Sequence, residues 1–149
     1  MAALAIASNL EQALSATPPP PFLSSASDLQ AYLQPQLNFL FTARPTAVNL
    51  GAATNHLSKV LAEGAQASTD ARELTGSLIK EAHKIHDEDL GRNKEMGKHG
   101  AEWLRKQVEA DGEDASTLNV LTVCNTGSLA TSVRHQDSII SATARLTCI

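Results

Sequence analysis

Aromatic residues make up only 3% of the 149 residues, and no Lys or Arg stands before Arg44. The first scarcity removes the stacking platforms on which single-stranded nucleic acids are held. The second removes the basic start of a signal peptide and the arginine-rich character of a transit peptide. The two cysteines, Cys124 and Cys148, are too few and too ill-spaced for a disulfide framework or a zinc site. That usage fits a reducing, intracellular compartment, expected to be the cytoplasm with the nucleus as a second location. No apolar run approaches the roughly eighteen residues of a membrane span. A net charge of -4 offers no electrostatic footprint for nucleic acid. There is no glycine-rich phosphate loop with a following lysine, and Ser128 lacks the flanking glycines of a nucleophile elbow.

What is present is a largely amphipathic chain. Hydrophobic residues reach 42% and charged ones 19%, the balance of a globular protein with length for one domain, or a small domain and part of another. Residues 3 to 16 read as an Ala-rich helix, ended by Pro18, Pro19, Pro20 and Pro21, which donate no backbone hydrogen bonds. Ser25 or Ser27 can cap a second helix carrying Leu29, Tyr32, Leu33, Leu37 and Leu40 at helical spacing. It stops near Arg44-Pro45. Pro45 at a first helical position then opens a third helix through Val48, Ala52, His56, Val60 and Leu61, ending at Gly64. A fourth runs from about Asp70 towards Ala110 on a stripe of Leu74, Leu78, Ala82 and Ile85. The stripe continues through Asp89 and Asn93 to Met96, Gly100 and Trp103, while Gly91, Gly97 and Gly100 invite a kink or a break.

After Asp111-Gly112 the composition turns from amphipathic helix to strand, and a domain boundary is placed there. Leu118, Val120, Leu121 and Val123 are apolar on both parities, as suits a central parallel strand covered on two faces. Asn125, Thr126 and Gly127 break the run before Ser128. A turn at the carboxyl end of such a strand is where open α/β sheets take ligands, and a helix start attracts anions and thiolates. Cys124 is therefore either a reactive group at that turn or a buried structural cysteine.

Three other groups stand out. Asp89 and Asn93, on an otherwise buried face, demand either a structural network or a site, because an unpaired buried polar group costs about 1 to 3 kcal/mol. Arg44 beside Pro45 is either a solvated arginine or a bidentate phosphate clamp. His83, His86, Asp87 and His99 lack a third ligand at helical spacing and read as a solvated face rather than a metal site.

Three blocks occur in an informative order: FTARPTAVNL at 41 to 50, Glu88-Asp89 with Asn93 followed by MGKHGA, and VCNTGSLAT at 123 to 131. Together they resemble the methylthioribose-1-phosphate isomerase family. Its wider group includes ribose-1,5-bisphosphate isomerase and the regulatory subunits of eukaryotic initiation factor two-B. The resemblance implies an N-terminal helical domain followed by a Rossmann-like domain, usually in a homodimer. It also implies the methionine-salvage conversion of 5-methylthioribose 1-phosphate to 5-methylthioribulose 1-phosphate, an aldose-ketose isomerisation with no redox cofactor and no metal. The partner implied is a small phosphorylated sugar, not nucleic acid or membrane. On these matches Cys124 takes the catalytic position and Arg44 binds substrate. Asn125, Thr126 and Gly127 shape the turn beside it, and Asp89 and Asn93 brace the site.

The expected fold class is mainly α. A helical domain covers 1–112, the first strand and helix start of a truncated Rossmann-like α/β domain cover 113–132, and a divergent tail covers 133–149. The Arg-Gly-Ala segment that the family carries ahead of this first helix has no counterpart here. Nor do its aspartate, glutamine and Asn-Lys pair beyond the cysteine block. After Ser132 a glycine-rich continuation resembling GYGTALG gives way to VRHQDSIISATARLTCI. Val133-Arg134 can be encoded by a splice-donor-like sequence, so a retained intron is expected, with little or no isomerase activity in this chain alone. The alternative is a non-catalytic interaction protein in the manner of the initiation-factor subunits.

Overall fold

Ala3, Ile6, Ala7, Leu10 and Ala13 recur at helical spacing and form the buried face of helix α1 (Ala2–Ser15). A computed structural model of the chain describes residues 1–114 and, by backbone alone, 118–122 and 144–148. The prolines after α1 lead into a short 3-10 turn, Pro21–Leu23, which buries Leu23. Phe22 stacks on Tyr32 with ring centroids 3.8 Å apart, and the Tyr32 hydroxyl donates to Asn9 Oδ1 at 3.3 Å. The proline loop thus returns the chain onto the next helix.

Helix α2 (Ala26–Thr42) is capped by Ser25, whose Oγ accepts the Asp28 N–H at 3.1 Å and donates to Asp28 Oδ2 at 2.7 Å. Leu29, Leu33 and Leu37 are its buried stripe. Pro35 stands inside it, where a proline removes the hydrogen bond to the carbonyl four residues back. Pro35 and Ala31 are both exposed, so water can satisfy that carbonyl.

The start of the third helix differs from expectation. Pro45 is not its first residue; it sits in a turn closed by the Ala47 N–H donating to the Arg44 carbonyl at 2.9 Å, and α3 spans Val48–Gln66. Both positions want the same fixed φ of proline, so the residue alone does not separate them. The buried face is also displaced: it comprises Gly51, Thr54, Leu57 and Leu61, whereas Val48 is 82% exposed. Thr54 is tolerated there because its hydroxyl donates to the Leu50 carbonyl at 3.0 Å.

Gly64 does not end α3, which runs on to Gln66. The end is a Schellman motif built on Ser68, a left-handed residue with φ of 51°. The Ser68 N–H donates to the Ala65 carbonyl at 3.2 Å and the Thr69 N–H to the Gly64 carbonyl at 3.1 Å. Asp70 then caps the next helix, its Oδ1 accepting the N–H groups of Arg72 at 2.9 Å and Glu73 at 3.1 Å.

That helix, α4 (Ala71–Ala110), continues through Gly91, Gly97 and Gly100 as one 40-residue element, not two. Ion pairs one turn apart, such as Arg92 with Glu88 at 3.4 Å, offset part of the glycine cost. Its end is again a Schellman motif, this time on Gly112 with φ of 79°. Leu74, Leu78 and Ala82 are buried and Ile85 packs beside them, but Met96 and Trp103 are 64% and 63% exposed. The stripe therefore leaves the buried face beyond Ile85. Length explains this: α1, α2 and α3 have 14, 17 and 19 residues, spans of about 20 to 30 Å, whereas α4 reaches about 60 Å.

The first 114 residues are thus mainly helical, as expected. Contacts divide the chain into two units, Met1–His86 and Asp87–Ile149, and α4 contributes to both. The first unit holds the main core, in which Leu10, Leu29, Leu33, Leu57, Leu61 and Leu78 are almost fully enclosed. In the second, β1 (Leu118–Thr122) pairs in parallel with β2 (Ala144–Cys148), Leu118 opposite Ala144.

Candidate functional site

Arg44 lies in the turn between α2 and α3, exposed and followed within four residues by the open start of a helix. Ala47, at the capping position, has no side chain with which to satisfy the first N–H groups of α3. Those groups and the guanidinium together favour an anion. The turn is held from both sides: a β-carbon on Gly51, in the first turn of α3, would lie 3.2 Å from Phe41 Cε2, near the end of α2. A side chain at position 51 would make Phe41 give way by a few tenths of an ångström. Gly51 immediately follows FTARPTAVNL, and that adjacency is the signal that the sequence reading passed over.

Asp89 and Asn93 are one turn apart on α4 and half-buried, and Asn93 Nδ2 donates to Asp89 Oδ2 at 3.3 Å. They form a local polar pair rather than two polar residues on an otherwise buried face. Of the expected site residues, these two are brought together; Arg44 belongs to the other unit. Cys124, Asn125, Thr126 and Gly127 lie outside the described residues.

Three of the histidines lie against carboxylates. His83 on α4 meets Glu11 of α1 at 3.0 Å, and His56 on α3 meets Glu81 of α4 at 2.8 Å. The His56 hydrogen bond is the main reason that the Glu81 carboxyl lies below its ordinary range, against an opposing effect of burial and with further help from Lys84. His99 is flanked by Glu95 at 3.6 Å and Glu102 at 3.9 Å on its own helix. Among the described residues no group of three or more His, Cys, Asp or Glu is placed to hold a metal ion. No helix among them is long and apolar enough to cross a membrane.

Sequence reasoning also missed a groove of about 400 Å³ between α1 and α2, lined by Ala5, Ile6, Asn9, Pro35, Gln36 and Phe39. Phe39 is 74% exposed. Pro35 shapes the wall, and the Gln36 side chain turns back to donate to the Tyr32 carbonyl at 3.1 Å.

Comparison with known proteins bears on the whole chain. The sequence pattern of the initiation factor 2 subunit family matches residues 2–146. A methylthioribose-1-phosphate isomerase of Postia placenta is 55% identical over 132 residues, covering 89% of this chain and 34% of that protein. The protein of the same name in Laccaria bicolor is 50% identical over 133 residues, 89% of this chain and 35% of its own length. One from Vitis vinifera is 34% identical over 129 residues, 87% of this chain and 33% of its own length. The chain spans about a third of the length of these relatives.

Proposed function

The chain belongs to the initiation factor 2 subunit family, and we propose from that membership that it carries part of a methylthioribose-1-phosphate isomerase site. The observation that carries the reading is 50–55% identity, over 89% of the chain, to proteins of that name. The substrate is the sugar phosphate, and the reaction is an aldose-ketose isomerisation. A phosphate on C1 blocks simple ring opening. The site must therefore supply an acid to expel the ring oxygen while hydrogen moves between C1 and C2.

In this reading the helical domain over 1–112 supplies Arg44, and the Rossmann-like part over 113–132 supplies Cys124. Arg44 takes the phosphate, supported by its exposed position before the uncapped N-terminus of α3. Cys124, in the turn shaped by Asn125, Thr126 and Gly127, works at the reacting carbons. Asp89 and Asn93 hold their part of α4 through their mutual hydrogen bond. The 149-residue chain by itself turns over little or no substrate.

The test is a chimera in which residues 2–132 replace the matched segment of the Postia placenta relative, assayed beside the chain alone. The chimera is expected to be active, Cys124→Ala to cut its turnover by about 100-fold or more, and Arg44→Ala to raise KM. Full turnover in the Cys124→Ala chimera sinks the catalytic assignment and favours a non-catalytic interaction role. Turnover by the chain alone near that of the relative sinks the claim that it is inactive by itself.

A further inference from the structure

Asp111-Gly112 is the only place in the chain where an aspartate or asparagine precedes glycine. Glycine has no β-carbon to shield its own nitrogen, so in this dipeptide a backbone amide can reach the carboxyl of the residue before it. Both residues are exposed, and they close the end of α4. The Asp111 N–H donates to the Gln107 carbonyl, the Gly112 N–H to the Glu109 carbonyl and the Glu113 N–H to the Val108 carbonyl, each at 3.1 Å. Gly112, with φ of 79°, is the left-handed centre of this motif. One hydrogen bond at a solvent-exposed helix end is thus what restrains the Gly112 nitrogen.

The charges at that end favour its opening. The negative pole of a helix dipole lies at the C-terminus, where cations stabilise and anions do not. The last turn of α4 has no basic residue, and Glu109, Asp111, Glu113 and Asp114 crowd the helix end with acids. Helix ends fray, and charges of the wrong sign lower the cost of fraying.

We propose that Asp111 is a site of spontaneous modification, at which aspartate converts to isoaspartate as the last turn of α4 frays. The Gly112 nitrogen attacks the carboxyl carbon of the Asp111 side chain. The nitrogen loses its proton, a carboxyl oxygen leaves as water, and a five-membered succinimide closes. Water then adds to one of the two ring carbonyls. Entry at the side-chain carbonyl restores aspartate; entry at the backbone carbonyl breaks the original peptide bond and leaves the chain running through the side chain as isoaspartate. Nothing is oxidised or reduced, and the mass of the chain is unchanged. The extra backbone carbon puts the Gly112 and Glu113 N–H groups out of register with the carbonyls that held them, so the capping motif does not re-form. The partner that this product fits is a methyltransferase recognising isoaspartyl carboxylates. The inference is independent of the isomerase reading.

The test holds the 149-residue chain and a peptide of residues 105–116 at physiological temperature and neutral pH. Isoaspartate is located by electron-transfer fragmentation in a mass spectrometer. The chain is expected to accumulate isoaspartate at position 111, more slowly than the peptide. Glu109→Lys, which sets a cation in the last turn, should slow the chain by about two- to fivefold. The same substitution should leave the peptide unchanged, because so short a segment has no stable helix end to strengthen. No isoaspartate at 111 by the time the peptide has reached its final ratio overturns the proposal, as does isoaspartate that forms mainly at another aspartate. A chain that converts as fast as the peptide, or that Glu109→Lys fails to slow, overturns the part given to the end of α4.

Discussion

The side chain of Leu74 in α4 occupies the space that a β-carbon on Gly64 in α3 would need. Leu74 Cδ2 and Cγ lie 3.0 Å and 3.1 Å from that position, and Leu74 is buried, so it has little freedom to move aside. Alanine at 64 would gain about 1 kcal/mol of helix propensity and lose about 1 to 3 kcal/mol to overpacking. Gly64→Ala is therefore expected to destabilise the protein by about 1 kcal/mol. Gly76 in α4 has nothing within 4 Å of its would-be β-carbon, so Gly76→Ala should stabilise by about 0.5 to 1 kcal/mol. Urea unfolding of the two variants should give shifts of opposite sign; the same sign for both would mean that Leu74 yields without cost.

Ser68 and Gly112 perform one task with different residues. Both hold left-handed φ values, 51° and 79°, at the end of a helix. The serine carries a β-carbon penalty of about 1 to 2 kcal/mol that glycine does not. Ser68→Gly should raise stability by about 1 kcal/mol, after allowance for the greater freedom of glycine in the unfolded chain. Thermal unfolding followed by circular dichroism measures it, and an unchanged midpoint would show that the serine side chain makes up the difference.

Acid should find Glu81. Its carboxyl is held below the ordinary value of 4.5, chiefly by the His56 hydrogen bond, so its contribution to stability is present above that value. The contribution is lost as pH falls through the lower folded value, where the native carboxylate takes up its proton. The pair is partly exposed, which limits it to no more than about 1 kcal/mol. The stability gap between the parent protein and Glu81→Gln should close as pH falls below about 4.5. A gap that persists undiminished at about pH 3 would contradict the assignment.

How far the residues foretold the fold depended on whether one signal had one meaning. Ser25 or Ser27 before a leucine stripe and a start near Asp70 were legible, and the structure selects Ser25 and makes Asp70 a cap. Pro45 and Gly64 are ambiguous by chemistry: a proline fits a turn as well as a helix start, and a glycine relieves crowding as well as ending a helix. Only the position of Leu74 separates the two roles of Gly64. Pro35, which passed without comment in the sequence, is tolerated because the carbonyl it strands faces solvent. The α3 face was misjudged because Gly51 and Thr54 carry no hydrophobic signal, although they are buried. At the site, Arg44 and the Asp89–Asn93 pair were visible as residue types, but the Phe41–Gly51 contact that holds the Arg44 turn arises from packing between helices.

The contact between Glu11 and His83 spans 72 positions of sequence. A ribosome adding about 5 to 20 residues per second needs several seconds to cover that distance. Through that interval α1 has emerged with Ile6 and Leu10 unable to find all their final neighbours. During synthesis the apolar face of the first helix thus waits, open to water, for part of the core that will cover it.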